Sequence, residues 1–134
     1  MGVTVRCQIF SGRRDPAWTL SPNQVTELRA LIDALTGRTL LKPAAVAGAL
    51  GYRGFLIHSN DVEEELTPES WVIVHAGIID RQRIALNLVD EKNGVERWLL
   101  ESAGSVIDPG LKTRIEKEMR FTPPVLPPGW QGPR

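Results

Sequence analysis

A chain of 134 residues has room for one ordinary domain, and its 42% hydrophobic and 24% charged content is that of a folded globular protein. Sixteen basic side chains balance sixteen acidic ones, so there is no broad positive field of the kind that gathers nucleic-acid phosphates. The longest apolar run, Trp71 to Ile79, falls well short of the ~20 residues needed to span a bilayer, so neither a nucleic-acid nor a membrane partner is expected.

Val3, Val5, Cys7 and Ile9 alternate with Thr4, Arg6, Gln8 and Phe10, the period-2 pattern of a strand with one buried face. Residues 1–10 lack the long apolar stretch and small-residue cleavage site of a secretory leader. Cys7 is the only cysteine, which leaves no internal disulfide to form. A reduced, cytoplasmic protein is therefore expected. Ser11-Gly12 closes the strand, and Arg13 to Ala17 reads as a loop.

The following helix carries clear boundary signals. Ser21 caps it, Pro22 stands at its first position, and Gln24 completes a capping box. Leu20 and Val25 have the spacing of a hydrophobic staple. Val25, Leu28, Ile32 and Leu35 then form one apolar stripe, and Gly37 is expected to end the helix in a left-handed conformation.

Pro43 to Leu50 is a candidate short helix stopped by Gly51. Phe55-Leu56-Ile57 reads as a buried strand, and Asn60 to Glu65 as an acidic exposed connection, with Glu63-Glu64-Glu65 solvated. Trp71 to Ile79 is apolar on both faces and reads as one central strand. Ile84, Leu86 and Leu88 alternate with Arg83, Ala85, Asn87 and Val89, predicting a further strand with a partly exposed face.

Val95 to Ala103 fits two elements. Asn93-Gly94 is a hairpin signal that would make it a strand, whereas Val95, Trp98 and Leu99 fit a helix that Gly104 terminates, and the helix is preferred. A last helix has Asp108 as its cap, Pro109 at its start and a Leu111, Ile115, Met119 stripe. From Thr122 onward five prolines preclude a regular helix or central strand.

The order of elements lacks regular βαβ alternation. It predicts an α+β domain over residues 1–121, with a mixed or antiparallel sheet of about 3–5 strands against 3–4 helices, followed by an extended proline-rich tail over 122–134.

Two segments carry side chains suited to ligand contact. In Phe10-Ser11-Gly12-Arg13-Arg14-Asp15-Pro16-Ala17-Trp18, Arg13 and Arg14 offer forked donors to a carboxylate or phosphate, and Trp18 offers a flat wall. The plain alternative is a loop in which Asp15 pairs with an arginine while Trp18 covers the core. In Gly51-Tyr52-Arg53-Gly54-Phe55, two glycines flank Tyr52 and Arg53 just before a strand, allowing close approach of a ligand or merely of a neighbouring helix. Arg13, Arg14, Trp18, Tyr52 and Arg53 thus form a candidate site for an anionic ligand, provided the fold gathers the three arginines.

The two strings Phe10-Ser11-Gly12-Arg13…Pro16…Trp18 and Gly51-Tyr52-Arg53-Gly54-Phe55 resemble ones found in small uncharacterised microbial proteins. The resemblance covers about the first half of the chain and implies no activity.

His75 lies in the most apolar segment, where it is either a neutral core histidine or a perturbed base, and His58 lies where a strand gives way to a loop. On one straight strand His75 and Asp80 would face opposite ways. One cysteine and two histidines are too few for a structural zinc site, and no metal or cofactor is expected. Cys7 alternates with buried positions, which argues against a nucleophile. The chain has no Walker loop, Rossmann glycine pattern or nucleophile elbow.

In the tail, Pro124-Val125-Leu126-Pro127 fits an extended proline ligand, and Trp130 offers an anchor for a partner, a second copy of the chain being the simplest. Folding of the tail back onto its own sheet is the competing reading. Together these features favour a small non-catalytic accessory or binding protein that holds a protein partner or an anionic small ligand. The alternatives are a small enzyme with His75 or His58 as general base and an arginine clamp, and a self-associating structural subunit, such as a homodimer.

Overall fold

The computed structural model describes residues 2–10, 14–40, 51–59, 71–81 and 86–119. The candidate short helix at 43–50, the acidic connection at 60–65, Arg13 and the proline-rich tail with Pro124, Leu126, Pro127 and Trp130 lie outside them. The strands are β1 (Val3–Cys7), β2 (Ala17–Leu20), β3 (Gly37–Thr39), β4 (Phe55–Ser59), β5 (Trp71–His75), β6 (Ile78–Asp80) and β7 (Asn87–Val89). The helices are α1 (Pro22–Asp33), α2 (Gly94–Ser102) and α3 (Pro109–Glu118), with a 3-10 turn at Gly104–Val106.

The fold is α+β, as expected, but its sheet is larger than the 3–5 strands predicted. Seven strands run in the order β2-β1-β4-β5-β6-β7-β3, every neighbouring pair antiparallel. The excess comes from short elements whose sequences carry little periodicity. β2 is four residues long and β3 is three, too few for alternation to declare itself.

The apolar run 71–79 is a hairpin rather than one strand. Ala76 (φ 54°) and Gly77 (φ 80°) turn the chain between β5 and β6, both in the left-handed region that a two-residue hairpin loop demands. The run looked continuous because Ala76 is itself buried, so no polar turn residue marks the reversal. The hairpin also changes the relation of His75 to Asp80. Asp80 stands opposite Ile73, so the two share a face of the sheet instead of facing apart.

Strand register assigns the core. Val5 lies between Trp18 and Ile57, Cys7 beside Phe55, and Val74 between Phe55 and Ile79, so these side chains share one face. They form a single buried cluster with Leu28 of α1, Leu99 and Leu100 of α2, and Ile115 of α3. Hydrogen bonds tie the layers together: the Trp18 indole donates to Ser102 Oγ (2.8 Å), and the Trp98 indole donates to Glu27 (3.2 Å).

The helix boundaries follow local chemistry. Ser21 accepts from Gln24 N while Gln24 Oε1 accepts from Ser21 N, a complete capping box with Pro22 behind it. Asp108 caps α3 by accepting from Leu111 N (3.0 Å). The preferred helix over 95–103 is present as α2, and Gly104 (φ 54°) follows its end. Gly37 does not terminate α1: that helix ends at Asp33, and Gly37 opens β3, where an added Cβ would press on Val89 at 3.1 Å.

Candidate functional site

Antiparallel pairing brings four connections to one end of the sheet. The end of β1, the start of β4, the β5–β6 turn and the end of β7 are neighbours, because Cys7 pairs with Phe55, Phe55 with Val74, His75 with Ile78, and Ile78 with Val89. Residues 8–10, 14–16, 51–54, 76–77 and 90–93 therefore share a rim. Of the six residues with positive φ among the described ones, five stand there: Gly51, Gly54, Ala76, Gly77 and Asn93. Left-handed backbone is disfavoured for Ala and Asn, so its concentration at one rim needs support from the surroundings.

The first rim segment is organised by Asp15. Its Oδ1 accepts from the backbone N–H groups of Ile9 (3.1 Å) and Phe10 (2.7 Å), and Cys7 N donates to Pro16 O (2.9 Å). Among the described residues these backbone donors are the partners of Asp15; a pairing with Arg13 lies outside the described residues. The second segment locks onto the first: Gln8 N donates to Gly54 O (2.9 Å) and Arg53 N to Gln8 O (2.8 Å). Arg53 is exposed, and its Nη2 donates to Phe10 O (3.3 Å), fixing the guanidinium over the first segment. Arg14 is exposed on that same segment. Among the described residues no carboxylate pairs with either arginine; the ion pair seen there is Lys112 with Glu101 at 2.9 Å.

Neither Trp18 nor Tyr52 offers a ligand surface: Trp18 covers the core, as the plain alternative had it, and Tyr52 is buried too. Trp18 is 8% exposed and packs edge-on against Phe55, and Tyr52 is 2% exposed against Phe55 and His75. Both are core side chains beneath the rim, with their polar atoms bonded inside the protein. Gly54 is required by the same packing. At φ 93° an added Cβ would fall 2.3 Å from Val74 O and 2.6 Å from His75 Cβ.

Beneath the rim lies a buried polar group that the sequence reading missed. Glu96, in the first turn of α2 and 1% exposed, accepts from Tyr52 O–H at Oε2 (2.6 Å) and from Gly77 N (2.8 Å) and Asn93 Nδ2 (2.9 Å) at Oε1. Beside it Asp90 caps α2 by accepting from Val95 N at Oδ2 (2.8 Å), and Asp90 N donates to Gly77 O. The spacing Asn93-x-x-Glu96 is a capping-box signal. Here the glutamate takes the side-chain amide of its cap residue Asn93 in place of the cap backbone N–H, and also reaches the β5–β6 turn at Gly77.

These surroundings set the titration of the interior groups. Burial, followed by the Glu96 charge, holds the Tyr52 phenol well above its ordinary range. Burial pushes the Cys7 thiol up to about 12, with Asp15 adding to the effect, so this cysteine is an inert core residue. Burial lowers the His75 imidazole against an opposing pull from Glu96, so the ring is neutral near pH 7. His75 packs edge-to-face on Tyr52 with centroids 5.4 Å apart.

His58 pairs with Thr4 and Trp71 at the opposite part of β4, four residues along β5 from His75. At about 3.3 Å per residue the two histidines are roughly 13 Å apart, so they do not form one catalytic cluster.

Comparison with protein-family models, curated proteins and solved structures returns no match. The site therefore stands on its own geometry. Among the described residues no group of three or more His, Cys, Asp or Glu side chains is arranged to hold a metal ion, and no helix is long and apolar enough to cross a membrane.

Proposed function

We propose that the protein is a small binding protein whose rim of arginine- and glycine-bearing segments holds an oxyanion, carried either on a small ligand or on an acidic protein partner. The observation that supports this reading is Arg53. It is exposed, anchored to Phe10 O by one of its five donors, and faces no carboxylate among the described residues. A guanidinium held by a neutral carbonyl keeps its charge for an incoming anion, and Arg14 stands on the adjoining segment. The interior groups support a non-catalytic role: the thiol of Cys7 is protonated, and Tyr52 O–H is engaged by Glu96.

Inorganic phosphate is a suitable probe. Titration followed by amide chemical shifts is expected to move Phe10, Arg53, Gly54 and Gly77, and Arg53→Ala is expected to weaken that response about tenfold or more, the cost of one charge-assisted contact. Shifts scattered over the surface, or an Arg53→Ala response equal to that of the native chain, would overturn the proposal.

A second reading rests on His75, a neutral imidazole at the same rim that could serve as a general base. His75→Gln separates the two: it leaves phosphate affinity intact in a binder and abolishes turnover in an enzyme. Tail-driven self-association through Pro124, Leu126, Pro127 and Trp130 is read out by native mass spectrometry of the chain as isolated.

A further inference from the structure

The three donors on Glu96 come from three different rim segments: Tyr52 from residues 51–54, Gly77 from the β5–β6 turn, and Asn93 from the connection into α2. Two of those donors are tied to strained backbone. Asn93 is itself left-handed (φ 55°), and Gly77 follows left-handed Ala76 (φ 54°). A hydrogen bond to a carboxylate is about twice as strong as a neutral one, and in a site 1% exposed water does not compete for it. Arg53 follows Tyr52 directly, so whatever fixes the Tyr52 ring also fixes the backbone from which the Arg53 side chain reaches Phe10 O.

From this geometry we infer that Glu96 is the positioning residue of the rim: one buried carboxylate holds residues 51–54, 76–77 and 90–93 in mutual register and thereby sets the placement of Arg53. The inference rests on the reading of the rim as an anion-binding surface, which it deepens by naming what shapes that surface.

Glu96→Gln is nearly isosteric and keeps a carbonyl acceptor for Gly77 N, but its amide nitrogen cannot accept the Tyr52 proton, so the charge-assisted bond is replaced at most by a weaker neutral one in which the amide donates to Tyr52 Oη. Amide hydrogen exchange in the full chain is expected to speed up about tenfold or more at Arg53 and Gly77, while Val5 and Ile57 in the sheet centre keep their native protection. Tyr52→Phe should act in the same direction and less strongly, and the phosphate-induced shift at Arg53 should shrink in both variants. Asn93→Gly, which tolerates the left-handed backbone but removes the amide donor, provides the same comparison if Glu96→Gln does not fold.

Exchange that rises uniformly over the sheet, or does not rise at the rim in any of the three variants, overturns the inference. Local loosening of the rim in a chain whose native form ignores phosphate would instead sink the anion-binding reading and leave Glu96 as the positioning residue.

Discussion

His75 is kept neutral by its surroundings, and the pH dependence of stability follows from that. Burial disfavours the imidazolium in the folded chain, so its pKa lies below the ordinary histidine value of about 6.5 reached on unfolding. The unfolded chain therefore binds a proton first as pH falls, and stability contributed by this residue is full above about pH 6.5 and lost as pH drops through that value toward the folded pKa. Thermal unfolding between pH 7.5 and 5 is expected to show a steeper fall for the native chain than for His75→Gln. Parallel profiles would show that His75 is not desolvated as described. Glu96 pulls the other way, which limits the size of the effect.

The residues that matter most at this scale were unevenly legible. Arg14 and Arg53 stand exposed at one rim, which the strings around them suggested but could not establish. Glu96 was invisible as a hub, because its partners Gly77 and Tyr52 are 19 and 44 residues away.

At the scale of elements, α1 shows how far local chemistry reaches. Its capping box, its first-position proline and its apolar stripe are all short-range features, and the helix starts where they place it. Ser21→Ala removes an acceptor for Gln24 N at an exposed helix start and is expected to lower stability by about 1 kcal/mol in urea unfolding. A change below a few tenths would mean that tertiary packing of Leu28 alone holds the helix.

The β5–β6 hairpin is the opposite case. In the run from Trp71 to Ile79 only Gly77 suits a reversal, with no polar turn residue beside it, and the turn is stabilised from outside by Glu96 accepting Gly77 N and by Asp90 N donating to Gly77 O. α2 lies between these extremes: its residues fit a helix or a strand, and burial of Val95, Leu99 and Leu100 against the sheet decides for the helix.

Across the whole molecule the helices and the sheet share one core, so damage in any layer is felt in all of them. Leu99 is 0% exposed and lies in the cluster that joins α2 to β5 and α3. Leu99→Ala is expected to cost about 2–5 kcal/mol, the usual range for a buried leucine with a partly relaxed cavity. A loss under 1 kcal/mol would show that the layers pack independently.

The strand order β2-β1-β4-β5-β6-β7-β3 also explains why the rim exists. Residues 8–10 and 51–54 meet only because β1 lies antiparallel to β4, a pairing about fifty residues apart in the chain.

The amino-acid sequence alone determined the α+β character, the caps and stripes of α1 and α3, and the buried place of Cys7. Each of these rests on contacts within a few residues or on alternation along one strand. Tertiary structure decided the seven-strand count, the hairpin within the apolar run, the interior positions of Trp18 and Tyr52, and the gathering of Arg53, Gly77 and Glu96 at one end. Those outcomes depend on which distant segments pair. Pairing is selected by the burial and hydrogen bonding of the complete fold, not by the preference of any one segment.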